Sequence, residues 1–294
     1  MRLILAVISC FVVAVPAIAA PAAWIVRDAD TEITLFGTVH ALPKGRDWLT
    51  PAVAARLDAA DTLVLEAVMP DDPAVLTPII NRIGMPPGVK SLAERVSAAT
   101  LPKLTAAAVT AGVPMAALDR MESWLVAMTL SNAALAGVGV DADSGVEPAL
   151  TARAKARHIA IIGLETAEQQ LGFFDGLPEA DQSAMLLATI NEVGTARRDF
   201  ETLVALWQKG NVEAIARDFD AETRATPLLR QRLLVARNMR WADWISGVMR
   251  RPGKLFIAVG AGHLGGADGL LALLKARQLN PVVLEQPATA MVGR

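Results

Sequence analysis

The chain has 294 residues, of which 53% are hydrophobic and 20% charged, and a formal net charge of −2. That apolar content supports a full buried core, so intrinsic disorder is excluded, and the charge balance lacks the basic excess that a nucleic-acid partner requires. One cysteine and three histidines are present, so each imidazole carries weight as a candidate functional group.

Arg2 followed by an apolar run ending in Ala17-Ile18-Ala19 reads as an export signal covering residues 1–19, cut after Ala19 to leave a mature chain from Ala20. The competing reading is an uncleaved N-terminal anchor, for which the segment is slightly short. "VISC", ending at Cys10, weakly resembles a lipoprotein box, but too few apolar residues precede it. With Cys10 removed, the mature chain has no thiol, which excludes disulfides, thiolate metal sites and cysteine nucleophiles. Any metal must then be held by His, Asp, Glu or main-chain oxygen. No second long apolar run predicts a further membrane span, and the expected location is periplasmic or secreted.

Residues 22–28 and 31–38 have the pattern of a β-hairpin. A helix follows over 50–60, with Thr50 as N-cap and Pro51 at the first helical position. A strand is expected at 61–69, a helix at 101–112 ending on glycine, a short strand at 113–118 and a helix at 122–136. A helix over 143–158 leads into a strand at 159–165. Residues 166–250 are almost wholly helical in pattern; then come a strand at 254–262, a helix at 266–278 and a last short strand at 281–285. Strands alternating with helices predict an α/β fold: a central mixed, mostly parallel sheet with helices on both faces. The block 166–250 is expected to be a helical cap on a single domain spanning 20–294.

Four polar residues fall at strand ends: His40, Glu66, Glu165 and His263. Both histidines sit in Gly-x-x-His units, Gly37 to His40 and Gly260 to His263, each following an apolar strand. The carboxyl ends of parallel strands line the ligand crevice of an open α/β sheet, so these side chains are expected on one rim. The glycines are expected to let the backbone turn tightly. Two imidazoles and a carboxylate suit a divalent transition metal, which would acidify water, and a further carboxylate can orient a ligand or take a proton. Taken singly, each residue has a plainer explanation, as a loop histidine bonded to main chain or a glutamate in an ion pair. His158, after a basic helix end, is expected at the surface. The glycines of "GAGHLGG" could cradle a phosphate, but the following helix lacks the P-loop Lys-Ser/Thr and a histidine interrupts the loop. Three- and four-residue steps place Arg230, Arg237 and Trp241 near one helix face, with Arg237 a candidate for steadying transition-state charge or else a solvated arginine.

The segments "LFGTVHALP", "LEAVMP", "GLETAEQQ", "RNMRWADWI" and "FIAVGAGHLGGADGLLALLK" together resemble the TraB/PrgY/GumN family, from residue 24 to 285. That family is similar to the Tiki metalloproteases and, more distantly, to erythromycin esterases and ChaN-like proteins. The resemblance implies an α/β fold of the erythromycin-esterase/ChaN type and an active centre of His40, Glu66 and His263. It also implies a divalent metal (Mn, Co or Zn), since Tiki proteins are Mn- or Co-dependent proteases. The family's "GxD" is Gly139-Val140-Asp141 here, whereas Ser123-Trp124 stands where Pro-Trp is expected.

The expected function is an exported metal-dependent hydrolase, possibly a peptidase, acting on a peptide or other envelope substrate. His40, Glu66 and His263 bind the metal; Glu66, Glu165 and Arg237 are the catalytic candidates. The alternative is a non-catalytic envelope protein that sequesters a peptide or polysaccharide component. A third reading, an Fe(II) oxygenase, conflicts with the helix-rich pattern.

Overall fold

The computed structural model describes residues 20–70 and 72–285. The expected export signal lies outside the described residues. Among the described residues no helix is long and apolar enough to cross a membrane.

The strands, in chain order, are β1 (Ala23–Arg27), β2 (Thr31–Thr38), β3 (Leu42–Pro43), β4 (Thr62–Ala67), β5 (Val140–Asp141), β6 (Ala160–Glu165), β7 (Gly253–Gly260) and β8 (Val282–Val283). Six form one sheet in the order β6-β4-β7-β2-β1-β8. β6, β4, β7 and β2 run parallel to one another. β1 and β2 form the expected antiparallel hairpin, with Asp28 Oδ1 accepting the Thr31 N–H across the turn at 2.8 Å. β3 and β5 make a separate small pair, Leu42 opposite Asp141. The interior strands are buried on both faces, which is why "LVL" and "FIAV" are unbroken apolar runs and "ITLF" is interrupted only by the buried Thr34.

Helices cover both faces. Pro51–Asp58 begins as expected, with Thr50 Oγ1 accepting the Val53 N–H. Helices Ala196–Gln208 and Ala236–Val248 deliver Trp207, Trp241 and Ile245 into the sheet's core. Trp207 Nε1 donates to the Gly37 carbonyl at 2.7 Å, which pins the end of β2.

A second apolar cluster joins Leu104, Leu130, Leu186 and Ile190 from the helices Leu101–Ala111, Ser123–Gly137 and Glu179–Glu192. The helical layer therefore draws on residues well before 166 as well as after it. Residues 115–118, expected as part of a strand, are a helical turn (Met115–Leu118) instead. Among the described residues no strand pairs with them, Met-Ala-Ala-Leu favours helix, and the turn buries Leu118 in the second cluster. At the Ser123-Trp124 departure, the Ser123 hydroxyl donates to Glu179 Oε1 and accepts from Arg95 Nη1, both at 2.8 Å, so it bridges two helices.

Candidate functional site

The parallel register brings the four strand ends to one edge: Thr38 lies opposite Gly260, and Ala67 opposite Glu165. His40 follows β2, Glu66 is in β4, Glu165 ends β6, and His263 closes the 3₁₀ turn Ala261–His263 after β7. His40, Glu66, His263 and Arg237 line a cavity of about 700 Å³. Glu165 is not in its wall.

Gly260 is the point on which three of these side chains converge. Its N–H donates to Glu66 Oε1 at 2.6 Å. A Cβ at Gly260 would lie 3.1 Å from Glu66 Oε1, 3.6 Å from His263 Cδ2 and 3.7 Å from His40 Nε2. His263 Nε2 is 3.8 Å from Glu66 Oε1. The expected reason for glycine here, a tight turn, is corrected: φ at Gly260 is −49°, open to any residue. Space between the side chains is what demands glycine. Gly37 is also a packing glycine, since a Cβ there would lie 3.0 Å from the Leu264 side chain.

Arg237 ties the carboxylates to one imidazole. Its Nη2 donates to Glu66 Oε2 at 2.5 Å, its Nε meets both oxygens of Glu165 at 3.1 and 3.0 Å, and its Nη1 donates to Leu233 O and meets His263 Nε2 at 3.0 Å. Trp241 and Phe173 stack against the guanidinium, 4.6 and 5.4 Å from ring centre. Arginine has donors only, so His263 Nε2 is the acceptor in that contact. His263 Nδ1 therefore carries the proton and donates to Asn238 Oδ1 at 2.7 Å. The Asn238 amide nitrogen in turn donates to the carbonyls of His263 and Asp268. Burial, reinforced by Arg237, pushes His263 down to about 4 against the pull of Glu66, so its imidazole is neutral near pH 7. Burial would raise Glu66, but the positive charges facing it and the Gly260 N–H outweigh burial and hold it down at about 2.

His40 is held differently. Its Nδ1 lies 2.7 Å from Glu147 Oε1, which also accepts from the Thr38 hydroxyl at 2.6 Å. The Glu147 hydrogen bond pushes His40 up to about 9. The His40 side chain is 71% exposed because the cavity in front of it is open.

The donor chemistry fits a divalent transition ion. Both imidazole edges and the Glu66 carboxylate border the space at Gly260, and the far nitrogen of each ring is engaged by Glu147 or Asn238, as ligating histidines require. Two features compete with an ion: Arg237 takes up His263 Nε2 and Glu66 Oε2, and His40, pushed up to about 9, carries a second proton near pH 7 that it must lose to ligate. As they stand, no three His, Asp or Glu side chains among the described residues are drawn around a common ion position.

Arg230 does not join the site. It pairs with Asp220 and Asp268 at 2.7 and 2.9 Å. A π-helical turn at Gln231–Val235 separates it from Arg237 and breaks the seven-residue spacing that would align the two. His158 is exposed, as expected. Asn238, Glu147 and Gln170, whose Nε2 lies within hydrogen-bond range of Glu66 and Glu165, are the site residues missed from sequence. "RNMRW" carried Asn238 in plain view, but only a fixed histidine tautomer shows its role.

The rest of the cavity is walled by Phe173, Phe200, Phe219 and Leu203, with four acids, Glu192, Asp199, Asp218 and Glu222, in the same wall. Burial, then the neighbouring carboxylates, push Glu222 up. A carboxyl whose pKa is higher in the folded chain than in the unfolded one costs stability as pH rises through that range. Glu222 as a residue is exposed, so solvent screens much of this cost; Glu222→Gln is therefore expected to raise Tm at pH 8 by no more than about 1 °C and to change nothing at pH 3, where the carboxyl is protonated in both states. Calorimetry at the two pH values checks this; an unchanged or lower Tm at pH 8 refutes it.

The sequence model of the TraB/PrgY/gumN family matches residues 22–281. The uncharacterized protein YbaP of Escherichia coli K12 is 27% identical over 255 residues, covering 87% of this chain and 92% of that protein. YbaP of Shigella flexneri is 27% identical over 241 residues, covering 82% and 87%. An uncharacterized protein of Treponema pallidum is 26% identical over 183 residues, covering 58% and 54%. No solved structure matches significantly.

Proposed function

The chain belongs to the TraB/PrgY/gumN family, and on that premise we propose that it is an exported metal-dependent hydrolase acting on a peptide or related envelope substrate. One observation carries this reading: His40, Glu66 and His263, from three different strand ends, border a single space at Gly260 on the wall of a cavity large enough for a substrate side chain. His40, Glu66 and His263 would hold a divalent ion such as Mn, Co or Zn. Such an ion, when bound, supplies Lewis acidity to a water or a carbonyl oxygen.

The chain's own residues divide the remaining work. Glu66, held near 2, stays a carboxylate and is too weak a base to draw a proton near neutral pH, which favours its anchoring role over the general-base role. Glu165 is buried against Arg237, Arg240 and Gln170, and serves as the counter-anion of Arg237. All three guanidinium nitrogens of Arg237 are engaged, which leaves none free to meet a developing oxyanion. Arg237 thus positions Glu66 and His263. Apolar walls around the cavity exclude bulk water from one side of the substrate. Export rests on the N-terminal sequence, residues 1–19.

A second reading, a binding protein that captures a peptide or polysaccharide component without turning it over, is favoured by a separate observation. Arg237 already pairs with both Glu66 and Glu165, with Arg240 as a second cation on Glu165, and satisfies His263 Nε2, so the polar wall is complete without an ion.

Elemental mass spectrometry on the chain from Ala20, loaded with Mn, Co or Zn, separates the two. About one metal per chain is expected in the wild type and none in His40→Ala or His263→Ala. Peptide and ester turnover is expected to stop in chelator. If no loading condition gives bound metal, and ligand binding saturates stoichiometrically without turnover, the hydrolase reading falls and the binding reading stands.

A further inference from the structure

We propose that Gly145-Val146-Glu147, at the start of the helix Val146–Ala156, is the element that positions His40, with Glu147 fixing the ring so that Nε2 meets the cavity. The proposal rests on the reading of His40 as a cavity donor.

Three independent contacts dock this segment on Thr38-Val39-His40. The Val146 N–H donates to the Val39 carbonyl at 3.1 Å. Glu147 Oε1 accepts from the Thr38 hydroxyl and binds His40 Nδ1. Gly145 lies directly against the His40 carbonyl, so close that a Cβ on residue 145 would collide with that oxygen. The β3–β5 pair, Leu42 with Asp141 and Pro43 with Val140, ties the two segments together again just beyond His40. His40 is therefore gripped on both sides along the chain and through its own ring.

The second Glu147 oxygen argues that the carboxylate is not there for the fold. Glu147 Oε2 is buried and takes no hydrogen bond from any other residue, the carboxylate's remaining interaction being with its own backbone N–H. A carboxylate serving stability alone would satisfy both oxygens, because an orphaned buried acceptor is destabilising. A cost of this kind is retained where a site needs the other oxygen in one place. The helix N-terminus compensates in part, since Glu147 lies in the first turn, where backbone N–H groups favour negative charge. Glu147 stands to His40 as Asn238 stands to His263: each holds Nδ1, which directs His40 Nε2 toward Gly260 and His263 Nε2 toward Arg237.

With only three histidines in the chain, ¹⁵N-histidine labelling gives three ring patterns. His40 is assigned by its loss in His40→Gln. In the metal-free protein, the His40 pattern is expected to move in Glu147→Gln, Glu147→Ala and Gly145→Ala, while those of His158 and His263 stay in place. In the metal-loaded protein, Glu147→Gln is expected to lower metal affinity about 10- to 100-fold, with partial recovery in Glu147→Asp. An unchanged His40 pattern in folded Glu147→Gln and Gly145→Ala overturns the proposal, as does a common shift of all three histidines, which would mean general loosening. If wild type binds no metal, the hydrolase reading fails while the histidine spectra still decide the clamp. If wild type binds metal and the spectra do not move, the clamp alone falls.

Discussion

Arg237→Ala is expected to lower stability by about 3–5 kcal/mol, the usual consequence of removing one partner from a buried charge network. The Glu66 and Glu165 side chains are 9% and 5% exposed, and Arg237 is their shared cation. Without it, Glu66 keeps Gln170 and the Gly260 N–H, Glu165 keeps Gln170 and Arg240, and His263 Nε2 loses its donor. For a chain of this size the loss corresponds to a fall in Tm of roughly 10 °C. Arg237→Lys should recover little, because an ammonium cannot span Glu66, Glu165, His263 and the Leu233 carbonyl with one planar fork. A triple replacement, Arg237→Met with Glu66→Gln and Glu165→Gln, should restore much of the stability while abolishing function, since no charge is then left buried.

The pH dependence follows from Glu66. Its carboxyl is held at about 2 in the folded chain against an ordinary 4.5. A depressed carboxyl adds stability that is fully present above the unfolded value and is lost as pH falls toward the folded one. The wild type should therefore lose this contribution between about pH 4.5 and 2, and the gap to Arg237→Ala should narrow over the same range. Thermal unfolding of both proteins from pH 7 to pH 3 measures it. A difference below about 1 kcal/mol at pH 7 would mean that solvent reaches these carboxylates, and the buried network would be refuted.

Gly260→Ala is expected to remove function while leaving the fold. The backbone there suits alanine, so the stability cost should stay near 1 kcal/mol. The added Cβ would stand 3.1 Å from Glu66 Oε1 and 3.7 Å from His40 Nε2. The carboxylate must give way by a few tenths of an ångström, both imidazoles come into ordinary contact with the new methyl, and the space they share is filled. Bound metal is expected to fall close to zero and turnover by about 100-fold, the scale on which small misplacements at a reacting centre are felt. Elemental analysis and a turnover assay, beside a Tm within a few degrees of wild type, test this. If Gly260→Ala binds metal as the wild type does, the donors do not meet at Gly260.

The strands that carry the site were legible because their signals are local. Apolar runs of strand length, ended by "GTVH", "LE", "GLE" and "GAGH", mark β2, β4, β6 and β7 and their polar ends. Parallel alternation with helices then implies a shared edge. The short stretch at 115–118 was not legible: whether it becomes strand or helix depends on having a neighbour to pair with, and its neighbour is a helical cluster. The extent of the helical layer was hidden for the same reason. Leu104 and Leu186 are far apart in sequence, and only packing shows that they share a core.

Sequence by itself determined the strands that carry the site and the edge where His40, Glu66, Glu165 and His263 assemble, because strand-end chemistry is a property of short segments, and the family followed from the likeness of whole segments. Tertiary structure alone decided what each side chain does there. A π-helical turn separates Arg237 from Arg230, and Arg237 crosses 171 positions to reach Glu66. Glu147 crosses 107 positions to hold His40. Tautomer, charge and orientation in the crevice are set by hydrogen bonds between groups remote in sequence, and such bonds exist only once the chain has folded.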